Sequence, residues 1–294
     1  GGNVDEAAYG DRNQRGEWTP TRRASYGPLF DRPTRPLAIL RWFVRGYLLP
    51  WNVLYAGVAV LVWFVATPSP ATTRTFAVGW IVAILLRNLA LVVVWYGGFH
   101  WWLYVRRAQD ARFKYNARWP RSGDRFLFGS QTRENAFWSL ASGVPIWTAY
   151  EAVTLWLFAN GHIPWLQWAE HPVWFVVLMV LVPFWREVHF YAVHRLIHVP
   201  FLYRHVHALH HRNTNPGPWS GLSMHPVEHL VYYSSVVVHW VVPSHPIHAM
   251  FNLVHLSMAP VPGHLGFEKV EVGEAHGFDT GCLNHYLHHK YFEV

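Results

Sequence analysis

The sequence of 294 residues contains a single cysteine, Cys282. One cysteine excludes an internal disulfide and any metal site rich in thiolate ligands, such as a zinc ribbon or an iron–sulfur cluster. Glycine-rich phosphate loops and the Gly-x-Ser-x-Gly turn of serine hydrolases are also missing. We therefore expect neither a nicotinamide cofactor nor a serine nucleophile, and the electrons for any redox chemistry must come from a partner.

Charged residues are scarce as well. They make up 14% of the chain, against roughly 25% in a soluble domain, whereas 52% of the residues are hydrophobic and 18 are tryptophan. Tryptophan is enriched at membrane–water boundaries, where its apolar ring and its polar edge are both accommodated. This composition predicts an integral membrane protein.

Long apolar runs determine the predicted architecture. A polar leader, residues 1–35, has no periodicity and is expected to be poorly ordered, or to wrap on the surface. Residues 36–294 form the predicted membrane-embedded domain, in which four segments approach the ~20 apolar residues that a membrane-spanning helix needs. These segments are 48–66, 76–96, 137–158 and 172–196. Arg87 interrupts the second segment, and its charge must face the helical bundle or reach the membrane surface.

The net charge of +7 is concentrated in two arginine-rich blocks, from Arg12 to Arg45 and from Arg106 to Arg125. Both blocks flank the open ends of the first predicted helical hairpin, so we place both chain termini on the cytoplasmic side. The same arginines could form a docking face for an acidic electron donor or for anionic lipid. Because they flank apolar segments, they do not predict nucleic-acid binding.

The fourth segment continues beyond the membrane boundary into a histidine-rich region, 185–294, which we predict to be a helical cap on the cytoplasmic side. Two apolar segments in this cap, 230–242 and 246–258, are too short to span the membrane and are predicted to be re-entrant or interfacial. The expected fold is therefore an all-α integral membrane protein with about four transmembrane helices and a cytosolic helical cap that holds a metal site.

Histidines in the cap recur at helical spacing. Residues three or four apart share one face of a helix. This spacing occurs in four groups: His194 with His198; His207 with His210 and His211; His225 with His229; and His285 with His288 and His289. Neutral imidazole is a common ligand of transition metals. Since one site takes about four to six ligands, the ten clustered imidazoles predict two neighbouring metal sites.

The residues near these groups leave several alternatives open. Glu228 could orient a ligand histidine, or it could stabilise the start of its own helix. His189 lies five residues before His194 and off that face of the helix, so it is expected to pack or to support a ligand. Zinc would satisfy the ligands, but two redox-silent ions suit hydrolysis, whereas iron can also activate dioxygen.

Three of the groups resemble the histidine boxes of the membrane fatty acid hydroxylase and sterol desaturase superfamily: His194–His198, His207–His211 and His285–His289. The resemblance extends to Tyr191-Ala-Val-His-Arg, to the segment from Asn215 to Leu230, and to Gly263-His-Leu-Gly-Phe-Glu. It covers the chain from about Phe184 onward. The family usually continues beyond the third box through an Asn-Tyr-Gly segment, which is not among these residues.

The resemblance implies a non-haem centre of two iron ions, with O2 as cosubstrate, beneath a cytosolic cap. It implies that the metal ligands are the box histidines together with His225 and His264, which match the commoner family pattern, and His229, which matches some branches. The box histidines are His194, His198, His207, His210, His211, His285, His288 and His289. Zinc can replace iron at such sites in purified samples.

A lipid hydroxylase is the function that we predict from this resemblance. Its substrate would be a C–H bond of a fatty acyl chain, a sterol or a related lipid, and its electrons would come from a ferredoxin or from a b-type cytochrome with a reductase. Three alternatives remain: a desaturase on the same scaffold, a zinc-dependent membrane hydrolase, and a non-catalytic relative that serves as a subunit of a membrane complex.

Overall fold

The computed structural model describes residues 5–21, 27–273 and 276–292, and most of these residues are helical. The α-helices are α1 (Pro36–Trp42), α2 (Val53–Ala66), α3 (Pro70–Thr73), α4 (Val78–His100), α5 (Gln131–Trp138), α6 (Val144–Ala159), α7 (Pro172–Ile197), α8 (Pro200–Leu202), α9 (Ala208–His211), α10 (Pro226–Tyr233), α11 (Val238–Val241), α12 (Pro246–Met258), α13 (Pro260–His264) and α14 (Leu283–Tyr291). Short 3-10 or π-helical turns join several of them, and the longest, Phe43–Asn52, lies between α1 and α2.

Three helical runs are long and apolar enough to cross a membrane: Pro36–Ala66, which is kinked at Leu49, Val78–Val105 and Pro172–Ile197. Their apolar side chains are largely left unpacked by the rest of the protein, and Phe64, for example, is 74% exposed. Such surfaces are stable in lipid, because a helix satisfies its backbone hydrogen bonds internally. The prediction of a mostly helical membrane protein is confirmed, and three of the four predicted spans fall on these runs.

The segment predicted as the third span, 137–158, has a different character. It covers the end of α5, a π-helical turn and most of α6. Eight of the sixteen residues of α6 are buried, and they include the polar Thr148 and Glu151. Helix α6 is therefore an inner helix that contacts α4 and α12, because its polar side chains need partners within the bundle.

Arg87 shows how the bundle accommodates a charge in the middle of α4. Its guanidinium donates hydrogen bonds of 2.5 and 2.6 Å to the two carboxylate oxygens of Glu151 on α6. Asn88 Nδ2 donates to the same carboxylate at 3.1 Å. The charge thus faces the bundle, which was one of the two alternatives for this residue.

Helix α12 occupies the centre of the molecule. All thirteen of its residues are buried, and it packs against α2, α6 and α7. Apolar side chains such as Met250 and Phe251 pack into the core, and the polar His248, Asn252 and His255 are buried with them. The segment predicted as re-entrant or interfacial, 246–258, is therefore a core helix of the bundle.

Two short antiparallel ribbons add to the helical fold, which the all-α prediction did not include. One pairs β1 (Gly10–Arg12) with β2 (Trp18–Pro20), and the other pairs β3 (Lys269–Val272) with β4 (His276–Asp279). The first ribbon lies in the leader that composition predicted to be poorly ordered. Residues 5–21 differ from that prediction, because Trp18 is only 2% exposed and anchors the ribbon to the cap.

Candidate metal centre

Five histidines form a first cluster in the cap: His194, His198, His207, His211 and His288. Each offers one ring nitrogen, and these nitrogens all lie within 4.8 Å of one another. His194 Nε2 lies 2.9 Å from His288 Nε2 and 3.1 Å from His198 Nε2. Two nitrogens that are each 2.0–2.1 Å from a common ion lie roughly 3–3.4 Å apart, so the spacing fits a shared metal ion.

Four more histidines form a second cluster: His210, His264, His285 and His289. His264 Nε2 lies 2.9 Å from His285 Nε2 and 3.4 Å from His210 Nε2. The two clusters are adjacent, because the ring centroids of His211 and His289 are only 4.9 Å apart. The structure therefore brings together nine of the eleven predicted ligands in two groups.

Helix geometry explains how two histidine boxes serve both clusters. In the second box, His207 and His211 are four residues apart and point into the first cluster, while His210 points into the second. In the third box the assignment is reversed: His285 and His289 belong to the second cluster and His288 to the first. Consecutive residues of a helix are rotated by about 100°, so His210 and His211 cannot face the same point.

The hydrogen bonds of His210 and His264 determine which ring nitrogen carries the proton. His264 Nδ1 lies 2.7 Å from the carbonyl oxygen of Pro260, and His210 Nδ1 lies 3.2 Å from that of Ser223. A carbonyl only accepts, so both Nδ1 atoms donate, and both Nε2 atoms present lone pairs. Two lone pairs 3.4 Å apart repel each other unless a cation lies between them. These residues fit a bound metal ion.

His207 shows the same arrangement with a carboxylate as its acceptor. His207 Nδ1 lies 2.8 Å from Glu228 Oε1, and both side chains are buried. His207 Nε2 has no hydrogen-bond partner among the described residues, and neither does any ring nitrogen of His211. A carboxylate behind a ligand histidine fixes its tautomer and increases its basicity, which favours the orienting role that was one of the two alternatives for Glu228.

Electrostatics keeps the clustered imidazoles in the neutral form that binds metals. Burial, followed by the neighbouring histidines, lowers the pKa of His207, His210 and His211 well below the usual value of 6.5. Burial lowers the pKa of His198 and His264 to about 4 in each case. These rings are therefore unprotonated at neutral pH and can donate a lone pair.

Two predicted ligands lie outside both clusters. His229 Nδ1 lies 2.9 Å from Ser142 Oγ, and its Nε2 lies 3.1 Å from the Leu222 carbonyl, so both ring nitrogens are already used. His225 Nδ1 accepts a hydrogen bond from Val227 N and caps the start of α10. The structure thus places these two predicted ligands apart from the clusters, His225 in a helix cap and His229 in hydrogen bonds to Ser142 and Leu222.

The turn after the second box contains supports that the sequence analysis did not recognise. Asn213 Nδ2 donates to the carbonyl of His210 at 3.0 Å, and Asn213 Oδ1 accepts from Gln131 Nε2 at 3.0 Å and from Asn135 Nδ2 at 2.8 Å. These bonds fix the end of α9. Gln131 and Asn135 share one face of α5 through their spacing of four, but no sequence signal indicates which segment that face meets.

Two grooves lead from the protein surface to the first cluster. One, of about 580 Å³, is lined by His198, Pro200, Tyr203, Arg204, Ala208 and Phe292. The other, of about 300 Å³, is lined by Arg121, Arg125, Phe126, Tyr203, Ala208, His211, Arg212, Thr214 and Phe292. We call Arg121, Arg125, Arg204 and Arg212 the basic rim. Arg212 pairs with Glu134 at 2.6 Å. The other three arginines of the rim give it a net positive charge beside the cluster.

Comparisons with known proteins agree with this geometry. The family model for fatty acid hydroxylase matches residues 175–294. The chain is similar to a Delta(7)-sterol 5(6)-desaturase of Gibberella zeae, with 30% identity over 122 residues, which is 40% of this chain and 37% of that protein. It is similar to Fatty acid hydroxylase domain-containing protein 2 of Homo sapiens, with 29% identity over 145 residues, which is 42% of this chain and 43% of that protein.

A shorter match involves Sphinganine C4-monooxygenase 2 of Arabidopsis thaliana, with 36% identity over 58 residues, which is 19% of this chain and 21% of that protein. The matches thus span less than half the length of each of these relatives. No solved structure is significantly similar to the chain. The family model matches the part of the chain that carries the histidine clusters.

Proposed function

We propose that this chain, whose residues 175–294 match the fatty acid hydroxylase family model, is a membrane lipid hydroxylase that holds two iron ions. The observation that carries the proposal is the pair of adjacent histidine clusters, in each of which one ring nitrogen of every histidine lies within 4.8 Å of the others. Five histidines would hold one ion and four the other. The cytoplasm is the proposed side for this centre, because the basic blocks of the sequence flank the membrane spans.

The chemistry follows from the metal that such ligands accept. Two iron ions bound there would supply the redox capacity to activate O2 for attack on a lipid C–H bond. The protein's own contribution is orientation and exclusion of water. Glu228 holds His207 in one tautomer, and the carbonyls of Pro260 and Ser223 do the same for His264 and His210.

An apolar groove supports a lipid as the substrate. It has a volume of about 700 Å³ and lies between the first membrane-spanning run and α7, where Val180, Leu181 and Phe184 line it. The same helix carries His194, ten residues further along. An acyl chain or a sterol could occupy the groove, since its walls offer apolar contacts and few polar groups.

Desaturation is the second candidate outcome. The similarity to a sterol desaturase favours it, and both outcomes begin with removal of hydrogen from an unactivated carbon. The lining of the groove does not favour one outcome over the other. A product analysis must therefore separate them.

The basic rim is the proposed docking site of the electron donor. Its arginines surround the grooves that reach His198 and His211, so a partner bound there would lie next to the first cluster. An acidic ferredoxin or b-type cytochrome has the complementary charge. The donor is needed because the sequence carries no nicotinamide-binding motif.

Elemental analysis and mass spectrometry test the proposal together. The full chain, purified in detergent and loaded with Fe²⁺, should hold two ions, and with donor, O2 and a lipid panel it should add one oxygen atom to a lipid. Loss of two hydrogens instead would identify a desaturase. Bound iron without any product would favour the non-catalytic alternative, and hydrolysis with bound zinc would favour the hydrolase.

A matched pair of variants provides the control. His210→Asn removes a ligand of the second cluster and should lower the metal content and abolish turnover. His225→Asn should leave both unchanged, because Asn can still cap α10 and His225 lies outside the clusters. Equal effects of the two substitutions would contradict the assignment of ligands.

A further inference from the structure

The leader ribbon packs against the part of the cap that carries the third histidine box. Residues 5–21, which we call the N-terminal clamp, bind a platform formed by residues 111–117. Trp18 N donates to the carbonyl of Tyr115 at 2.9 Å, and Ala117 N donates to that of Gly16 at 2.9 Å. These main-chain hydrogen bonds to the C-terminal half of the platform attach the clamp to it.

Arg12 strengthens this attachment through all of its guanidinium nitrogens. It makes two hydrogen bonds to the carboxylate of Glu6, at 3.1 and 3.0 Å. It also donates to the carbonyls of Gly16, Lys114 and Ala111, at 2.9, 3.1 and 2.7 Å. A rigid, planar guanidinium that bridges five acceptors holds the clamp to the platform in one orientation.

The clamp and the platform together contact α14. Trp18 and Tyr115 are buried in one cluster with Tyr286 of α14, and the Tyr115 and Tyr286 rings stack with centroids 5.0 Å apart. One turn further along the same face, Lys290 forms an ion pair with Glu17 of the clamp. His285, His288 and His289 project from a different face of α14 into the clusters, so the clamp packs on a side of this helix that does not bear the third box.

Helix α14 depends on this support because it is short. It has nine residues, and isolated helices below ~12 residues are marginal in water. Its position must therefore come from tertiary contacts. The platform also contacts the segment between α13 and β3. Tyr115 N donates to the carbonyl of Gly266 at 3.0 Å, two residues after His264.

We propose that the N-terminal clamp positions the third histidine box and thereby controls the occupancy of the second metal site more than that of the first. This inference rests on the proposed function, in that the clusters bind metal. The second cluster takes His264, His285 and His289, three of its four histidines, from segments that the clamp and the platform hold. The first cluster takes one of its five, His288, from α14.

The test compares the loss of a buried tryptophan from the clamp with the loss of one elsewhere. Trp18→Ala removes the clamp's anchor, and Trp80→Ala removes a similarly buried tryptophan of α4, which packs in a separate cluster with Ile84 and Ala152. After equilibration with graded chelator, the parent and Trp80→Ala should retain two ions per chain over the same range. Trp18→Ala should retain one, with affinity for the other weakened roughly 10–100-fold, as for other supports of metal ligands.

Equal metal loss in the two tryptophan variants, or two ions retained by Trp18→Ala at the affinity of the parent, would overturn the proposal. If either variant fails to fold, Trp18→Leu and Trp80→Leu provide the milder pair. Glu17→Lys should also weaken the second ion, and the double variant Glu17→Lys with Lys290→Glu should restore it, which general loss of stability would not do.

Hydrogen exchange separates this inference from the proposed function. If the parent binds no metal, the proposed function is wrong, and the clamp is still tested by the protection of residues 283–291. Exchange in this segment should be faster in Trp18→Ala than in Trp80→Ala. Equal protection in the two variants would refute a positioning role for the clamp.

Discussion

Replacement of Glu228 by glutamine tests the link between the buried carboxylate and the metal site. The carboxylate lies 2.8 Å from His207 Nδ1, and both side chains are buried, at 3% and 0% exposure. Glutamine keeps the size and an oxygen acceptor but removes the charge. The substitution therefore isolates the electrostatic support that Glu228 gives to the metal ligand.

Glu228→Gln should weaken metal binding but should leave the stability of the metal-free protein nearly unchanged. Burial raises the pKa of Glu228, which means that its negative charge is costly unless a positive charge lies nearby. A metal ion on His207 would supply that charge, so Glu228→Gln should weaken metal binding by about 10–100-fold, or about 1.4–2.7 kcal/mol. The metal-free variant should be as stable as the parent to within about 1 kcal/mol.

Metal titration and thermal unfolding of the purified protein measure the two effects separately. Glu151→Gln is the matched control. Glu151 is also buried, but it pairs with Arg87 and, among the described residues, contacts none of the clustered histidines through a hydrogen bond. It should lower stability and leave metal affinity unchanged. The reasoning would be refuted if Glu228→Gln bound metal as tightly as the parent, or if its metal-free form were destabilised as much as that of Glu151→Gln.

Three further predictions concern other parts of the molecule. His229 is buried, and burial lowers its pKa to about 4 from the usual 6.5. As the pH falls, the unfolded chain therefore binds a proton at this residue before the folded chain does. The free energy of unfolding then decreases between pH 6.5 and pH 4, by at most about 1.4 kcal/mol per pH unit. Unfolding of His229→Gln should lack this part of the pH dependence, and identical profiles would contradict it. Charge reversal at the basic rim, Arg121→Glu with Arg125→Glu, should slow turnover with a protein donor at low salt and leave turnover with a small chemical reductant unchanged; an equal effect on both would exclude docking there. Arg87→Met alone should destabilise the protein by about 3–5 kcal/mol because it leaves Glu151 buried without its partner, whereas Arg87→Met with Glu151→Met should recover most of that loss in the same unfolding assay.

The sequence contained enough information to identify the membrane spans and most of the candidate ligands. Apolar runs of about twenty residues require no knowledge of their neighbours, because the membrane dictates their length. Histidines three or four residues apart share a helix face whatever that helix contacts, so the ligand candidates in the three boxes follow from spacing alone. The same spacing does not bring His225 and His229 into the clusters, because His225 caps a helix and His229 is hydrogen-bonded to Ser142, 87 positions away.

Spacing and hydropathy could not predict contacts between residues that are distant in the sequence. The burial of α12 depends on the three helices that surround it. Its length alone was compatible with a re-entrant or an interfacial segment. Likewise, Trp18 and Tyr286 are buried in one cluster although more than 260 positions separate them, and neither residue carries a signal for the other.

Spacing, hydropathy and charge thus determined by themselves that the chain is a helical membrane protein with histidine-rich helices. Only the tertiary structure decided that the histidines divide into groups of five and four, and that each of the last two boxes contributes to both groups. It also decided that the N-terminal ribbon lies behind the third box. The physical reason is that helical periodicity is local, whereas the point towards which side chains converge depends on how separate helices pack.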